Sequence, residues 1–277
     1  MESVTTARTT LGNTKGVAIP RVGLGVYQTP RGDETKRAVL EALRVGYRHI
    51  DTARVYGNEG DVGAAIAESA VPRAEVFVTT KLWNDDQGYD RALSAFDASA
   101  RLLGLGVIDL YLLHWPVPRR RLESWRALER LLAEGRVRAI GVSNFMAHHL
   151  DELVANAEVK PAIDQIELSP FLQQRDVVAA CRRHGITVEA YSPLTRGQRL
   201  AHPTVKRVAA AVGRTPAQVL LRWSLQHGFV VLPKSTRPAR IAENTALFDF
   251  ELDGPAMAEL DGLEEGLVTG WDPRGAP

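Results

Sequence analysis

The sequence predicts an α/β fold, a (β/α)8 TIM barrel with an N-terminal β-hairpin plug. Three observations carry that expectation. Short apolar runs recur eight times, at 21–26, 48–52, 76–82, 109–115, 139–143, 162–168, 187–192 and 230–233. A longer amphipathic stretch follows each of them. Successive runs start 23 to 43 residues apart, room for one helix and two loops per βα unit. Strands alternating with helices imply a parallel sheet, and eight regular units favour closure into a barrel over an open sheet.

The elements can be justified in chain order. Residues 1–9 are polar, Thr-rich and expected to be flexible. Residues 10–19 contain Leu11-Gly12-Asn13 and Gly16, the signature of a hairpin placed to plug the N-terminal end of the barrel. The helical stretches fit the same plan. In 123–134, Trp125, Leu128, Leu131 and Leu132 keep three- and four-residue spacing and form one buried stripe. Gly135 then supplies the left-handed residue that ends the helix. Arg182-Arg183-His184-Gly185 and Leu225-Gln226-His227-Gly228 read as endings of the same kind. The gap before the eighth strand has space for an extra helix, with Pro216 near the start of 215–227. No linker or low-complexity tract divides the chain, so 1–277 is expected to be a single domain.

Composition bounds the function. With 34 basic and 33 acidic residues, the formal net charge of +1 sets up no field for nucleic acid or an anionic membrane. The run Arg119-Arg120-Arg121 reads as a solvated loop ahead of a helix. No apolar run approaches the roughly 18 residues of a membrane span, and the N-terminus has no apolar core of a signal peptide. The cytoplasm is the expected location and monomer the expected state. The single cysteine, Cys181, lies in an apolar helical stretch and reads as a buried thiol. No metal-ligand spacing is present, so no metal is expected.

Catalytic groups of a (β/α)8 barrel project from the C-terminal ends of its strands. Asp51 ends the second strand in Arg48-His49-Ile50-Asp51-Thr52, and Tyr56 follows in Ala53-Arg54-Val55-Tyr56-Gly57-Asn58-Glu59. Lys81 ends the third in Val78-Thr79-Thr80-Lys81-Leu82-Trp83. His114 ends the fourth in Asp109-Leu110-Tyr111-Leu112-Leu113-His114-Trp115-Pro116. Singly, each reads as an ordinary rim ion pair or a satisfied histidine. Together, at the one rim where barrels do chemistry, they read as an active site. The remaining histidines read as structural: His148 and His149 as surface residues, and His49 as packing against the helical ring.

These segments resemble the aldo-keto reductase family, as do Gly141-Val142-Ser143-Asn144-Phe145 and Leu232-Pro233-Lys234-Ser235 with Arg240-Ile241-Ala242-Glu243-Asn244. The resemblance runs from about Thr10 to the C-terminus. The short loops after His114 and Asn244 resemble the prokaryotic diketogluconate-reductase-like branch. It implies an NADPH-dependent oxidoreductase that reduces aldehydes and ketones to alcohols by hydride transfer, with a small-molecule carbonyl as substrate. Asp51, Tyr56, Lys81 and His114 would be the catalytic tetrad. Tyr56 would donate the proton, its pKa lowered by the Lys81 ammonium. Asp51 would hold Lys81, and His114 would polarise the carbonyl.

Gly-x-Gly-x-x-Gly is absent, so phosphate binding falls to the loops after the last two strands. By the resemblance, Ser143, Asn144 and Gln165 would bind the nicotinamide amide, and Tyr191 would stack on its ring. Ser192 and Leu194 would approach the pyrophosphate. Lys234, Ser235, Thr236 and Arg240 would hold the 2′-phosphate, and Glu243 and Asn244 the adenine. Two cations with hydroxyls suit a phosphate dianion, hence NADPH/NADP+ over NADH. Tyr27, Trp83, Trp115 and Trp271, with His114, would line the substrate mouth. The sequence departs from the family pattern at Tyr27, often tryptophan, and at Thr195, often glycine. Two other readings use the same residues. One is a regulatory barrel that binds NADPH without turnover, which leaves Tyr56 without a task. The other is an aldolase with Lys81 as Schiff-base nucleophile, disfavoured because Asp51 beside Lys81 keeps the amine protonated.

Overall fold

The computed structural model describes residues 2–276. Strands β1 (Arg8–Thr10) and β2 (Ala18–Pro20) pair antiparallel as a hairpin. The barrel then runs through β3 (Leu24–Gly25), β4 (His49–Asp51), β5 (Phe77–Leu82), β6 (Ile108–Leu113), β7 (Val137–Ser143), β8 (Ile163–Glu167), β9 (Thr187–Tyr191) and β10 (Val230–Leu232). Neighbours in sequence are neighbours in the sheet, and every pairing is parallel. Closure comes from the segment leading into β3. Val22 bridges Val231, the Gly23 amide donates to Val231 O at 2.9 Å, and the Val231 amide donates to Arg21 O at 2.9 Å. Each of the eight strands falls within or overlaps an apolar run anticipated from the sequence.

The outer ring holds α1 (Asp33–Arg44), α2 (Glu59–Glu68), α3 (Tyr89–Leu103), α4 (Arg121–Ala133), α5 (Ala147–Asn156) and α6 (Arg175–His184). It continues with α7 (Pro203–Ala211), α8 (Pro216–Gln226), α9 (Pro238–Glu243) and α10 (Gly254–Asp261). The stripe on α4 is buried at Trp125, Leu128 and Leu131, while Leu132 is half-buried at the edge of the face. Gly135, Gly185 and Gly228 follow their helices at φ of 69°, 69° and 85°, conformations that cost a residue with a Cβ. Helix α8 starts on a capping box. The Thr215 hydroxyl accepts from the Gln218 amide, Gln218 Oε1 accepts from the Thr215 amide, and Pro216 needs no partner at the first helical position. Among the described residues no helix is long and apolar enough to cross a membrane.

Side chains alternate across each strand. Outward Ile50, Val78, Tyr111 and Val142 join the apolar core under the helices. Inward Phe77, Leu110, Ala139, Ile163 and Val230 form a second cluster with Leu11 and Ile19 of the hairpin. The hairpin turn is seated on the barrel floor. A Cβ on Gly12 would come within 1.8 Å of Gly185 O, and Asn13 Nδ2 donates to Pro161 O at 2.9 Å.

Three expectations are corrected here. The segment 2–9 is packed, not loose: Val4 and Ala7 are buried, Thr5 Oγ1 donates to Gly46 O, and β1 begins at Arg8. His49 faces the barrel interior rather than the helical ring, because it lies two residues before inward Asp51. Its Nε2 lies 3.1 Å from Thr79 Oγ1. His149 is fully buried, with Nδ1 accepting from the Met146 amide at 3.1 Å, and only His148 is exposed.

Candidate active site

Alternation along β4 and β5 turns Asp51 and Lys81 inward at the C-terminal rim, one strand apart. His114 follows directly after β6, its amide donating to Leu82 O at 3.1 Å. Tyr56 closes a 3-10 turn, Arg54–Tyr56, that Gly57 ends at φ 67°. Buried Asn58 ties this loop down. It accepts from Thr52 Oγ1 at 2.8 Å and donates to Val26 O at 3.1 Å. The four side chains thereby share one wall. Lys81 Nζ lies 5.2 Å from the Tyr56 ring centre, and the Tyr56 and His114 rings are 5.7 Å apart.

Lys81 is fully buried. Its ammonium donates to Asp51 Oδ1 at 2.6 Å, Asp51 Oδ2 at 2.8 Å and Thr52 O at 2.9 Å. An ammonium has three hydrogens, and all three are thus committed. None is left to donate to the Tyr56 phenol. Burial, then the Asp51 carboxylate, push the Tyr56 pKa well above its ordinary value. Tyr56 is thereby held protonated, the form a proton donor needs. The same geometry removes Lys81 as a Schiff-base nucleophile, which needs a free lone pair and access to a carbonyl carbon.

Burial, then the Lys81 charge, push His114 well below its ordinary value, so its imidazole is neutral. His114 Nδ1 is buried without a hydrogen-bond partner. The tautomer that buries only a lone pair there carries its proton on Nε2, the nitrogen left to the cavity.

One cavity of about 910 Å³ joins these groups to the rest of the rim. Asp51, Tyr56 and His114 line one end, with Tyr27, Trp83, Trp115 and Trp271. Tyr27 stacks beside Tyr56 at 4.9 Å between ring centres, Trp83 beside His114 at 5.2 Å, and Trp271 against Trp115 at 4.4 Å. The middle is lined by Ser143, Asn144, Gln165, Tyr191, Ser192 and Leu194. Asn144 donates to His114 O at 3.0 Å and accepts from the Tyr191 hydroxyl at 2.7 Å, while Ser143 Oγ donates to Gln165 O at 2.8 Å. Asn144 and Ser192 hold left-handed backbone, φ 62° and 48°, strain of the kind that collects at functional sites. Thr195 shares that conformation at φ 50°, where glycine would be relaxed.

Lys234, Ser235, Arg240, Glu243 and Asn244 also line the cavity. Lys234 and Arg240 are exposed and form no salt bridge among the described residues. Thr236 does not line the cavity. The Glu243 carboxylate accepts from Thr215 Oγ1 at 2.6 Å, tying α9 to the start of α8.

The sequence profile of the Aldo/keto reductase family matches residues 21–265. The chain belongs to the aldo/keto reductase family. It is 51% identical over 261 residues to an aldo-keto reductase of Mycolicibacterium smegmatis, covering 94% of each chain. It is 46% identical over 258 residues to the glyoxal reductase of Bacillus subtilis, covering 93% of this chain and 94% of that one. A variant of Gox0644 solved in complex with NADPH superposes over the whole of both chains with a TM-score of 0.91 and 42% identity.

For this aldo/keto reductase, several residues of the site escaped the sequence reading. Glu167 accepts from the Thr269 amide at 2.9 Å and from the Thr269 hydroxyl, which docks the Gly/Pro-rich tail and brings Trp271 over the mouth. Arg196 sits 5.7 Å from the Tyr27 ring centre and lines the cavity with Val55 and Leu200. Glu189 lies fully buried in the interior below Gln165. The signal for Glu189 was available. It stands two residues before Tyr191, and alternation along a strand puts both on one face.

Proposed function

We propose that this enzyme reduces aldehydes and ketones to alcohols with NADPH, and that Tyr56 gives the proton. One observation supports this above the rest. A single cavity is lined both by a loaded proton donor with a neutral histidine and by two cations without ion pairs among the described residues. That lining suits a dinucleotide with a charged tail. When bound, NADPH supplies the hydride.

The chain's own residues account for the remainder. His114 Nε2–H donates to the carbonyl oxygen and orients it. As negative charge builds on that oxygen, Tyr56 releases its proton to it. An alkoxide is more basic than a phenolate, so the transfer runs downhill although Tyr56 begins with a raised pKa. Asp51 and Lys81 fix one another and give the nascent phenolate a cation 5.2 Å from its ring. Ser143, Asn144 and Gln165 would hold the nicotinamide amide, Tyr191 would stack on its ring, and Ser192 and Leu194 would approach the pyrophosphate. Lys234, Ser235 and Arg240 would hold the 2′-phosphate, with Asn244 and Glu243 toward the adenine. The four aromatics at the mouth would exclude water and select apolar or planar carbonyls.

The reading extends to a single-domain monomer in the cytoplasm. Gel filtration checks the monomer. The test of function is consumption of NADPH with a panel of simple aldehydes, keto acids, sugars and steroids. The glyoxal reductase relative puts short dicarbonyls first in that panel. Carbonyl-dependent oxidation of NADPH is expected; none with any member would sink the reading.

A further inference from the structure

Below the cavity floor, the barrel interior holds a carboxyl that the reaction scheme does not use. Glu189 on β9 is fully buried, and its register partner on β8 is Gln165. Gln165 Nε2 donates to Glu189 Oε2 at 2.7 Å and to Asp51 Oδ2 at 2.8 Å. A carboxamide nitrogen carries two hydrogens, so both are spent on carboxyl oxygens. Gln165 Oε1 makes no hydrogen bond among the described residues, and Gln165 lines the cavity. A flipped amide would set its oxygen against two carboxyl oxygens at under 3 Å.

Apart from the bond to Gln165, Glu189 makes no side-chain hydrogen bond among the described residues. Its Oε1 has no hydrogen-bond partner, and the nearest basic atom is His49 Nδ1 at 3.8 Å, also unpartnered. Burying a carboxyl with one oxygen unpaired costs desolvation that its single hydrogen bond does not fully offset. A fold that keeps it gains something other than stability.

We propose that Glu189 is a positioning residue of this site: with Asp51 it takes both hydrogens of the Gln165 amide and turns Gln165 Oε1 to the cavity as a fixed acceptor for the amino group of the nicotinamide carboxamide. Asp51 alone forbids the flip, and Glu189 adds the second anchor that fixes the amide plane. The inference rests on the proposed assignment of Gln165 to that carboxamide. It also accounts for the neutral pair beneath. Burial pushes Glu189 up to about 8 and His49 down to about 3, so near pH 7 the floor presents an acceptor oxygen without adding a charge beside Asp51 and Lys81.

The test compares dissociation constants, by tryptophan fluorescence, for NADPH and its 3-acetylpyridine analogue, which has a methyl group in place of the amino group. The wild type should bind the analogue roughly ten- to hundredfold more weakly, because a fixed acceptor then goes unpaired. Glu189→Gln keeps an oxygen toward Gln165 and should keep that ratio. Glu189→Leu leaves one Gln165 N–H unpaired, so it should fold but melt somewhat lower than the wild type, and it should shrink the ratio to within about threefold, by weakening NADPH while leaving the analogue unchanged. A Glu189→Leu protein with the wild-type ratio, or with both constants weakened in parallel, overturns the inference. So does a wild type that does not discriminate. Gln165→Leu separates the two levels. If it also preserves the ratio, the assignment of Gln165 falls and the inference with it; if it collapses the ratio and Glu189→Leu does not, the inference alone falls.

Discussion

Lys81 carries a charge with no hydrogen left free. Its hydrogens hold Asp51 and the Thr52 carbonyl, so it braces the rim beside Tyr56. The same cation, after burial, keeps His114 neutral. A sign follows for pH. A lowered pKa extends the neutral imidazole to lower pH, so its Nε2–H donor persists where an ordinary histidine would have charged. The kcat for reduction should stay flat, within about twofold, from about pH 7.5 down to about pH 5.5. A limb with a midpoint near the ordinary histidine value would contradict the neutral assignment. Asp51, Lys81 and His114 were legible because polar residues at the ends of apolar strands face the rim of a barrel. His49 and Glu189 were not assigned to that interior. Both faces of a parallel strand are buried, so apolar content does not tell inside from outside. Only counting in twos back from Asp51 and from Tyr191 does so.

At the scale of elements, α9 would carry the proposed preference for NADPH. Pro238 starts the helix and Arg240 lies in its first turn, six residues beyond Lys234. A 2′-phosphate held there would accept charge-assisted bonds from the guanidinium. Losing one partner of such a pair costs about 2–5 kcal/mol, less where the site stays wet. At about 1.4 kcal/mol per tenfold, Arg240→Ala should weaken NADPH binding by roughly thirtyfold or more and leave NADH within about twofold. Parallel weakening of both would make Arg240 a support of the fold. The eight strands and the helix endings were readable because apolar runs, three- and four-residue spacing and closing glycines agree. The loop after β9 was read only through motif likeness. Its left-handed residues Ser192, Thr195 and Arg196 have no local signature, since none is glycine.

The whole molecule is a closed barrel with a floor and a working rim. Ile19 of the hairpin is fully buried against inward residues of several strands. Ile19→Ala should cost about 2–5 kcal/mol in urea unfolding, because the close-packed floor cannot collapse onto the hole. Its kcat per folded molecule should change less than about threefold, since the tetrad stands at the other end. A large loss of kcat without loss of stability would mean that floor and rim are coupled. The central claim is that Tyr56 delivers the proton to a carbonyl reduced by NADPH, and single-turnover oxidation of prebound NADPH by Tyr56→Phe, beside the wild type, tests it most directly. The account predicts an NADPH dissociation constant within a few-fold of the wild type and a single-turnover rate lower by about 10²–10⁴-fold; a variant that oxidises NADPH at near the wild-type rate with the same carbonyl would contradict it.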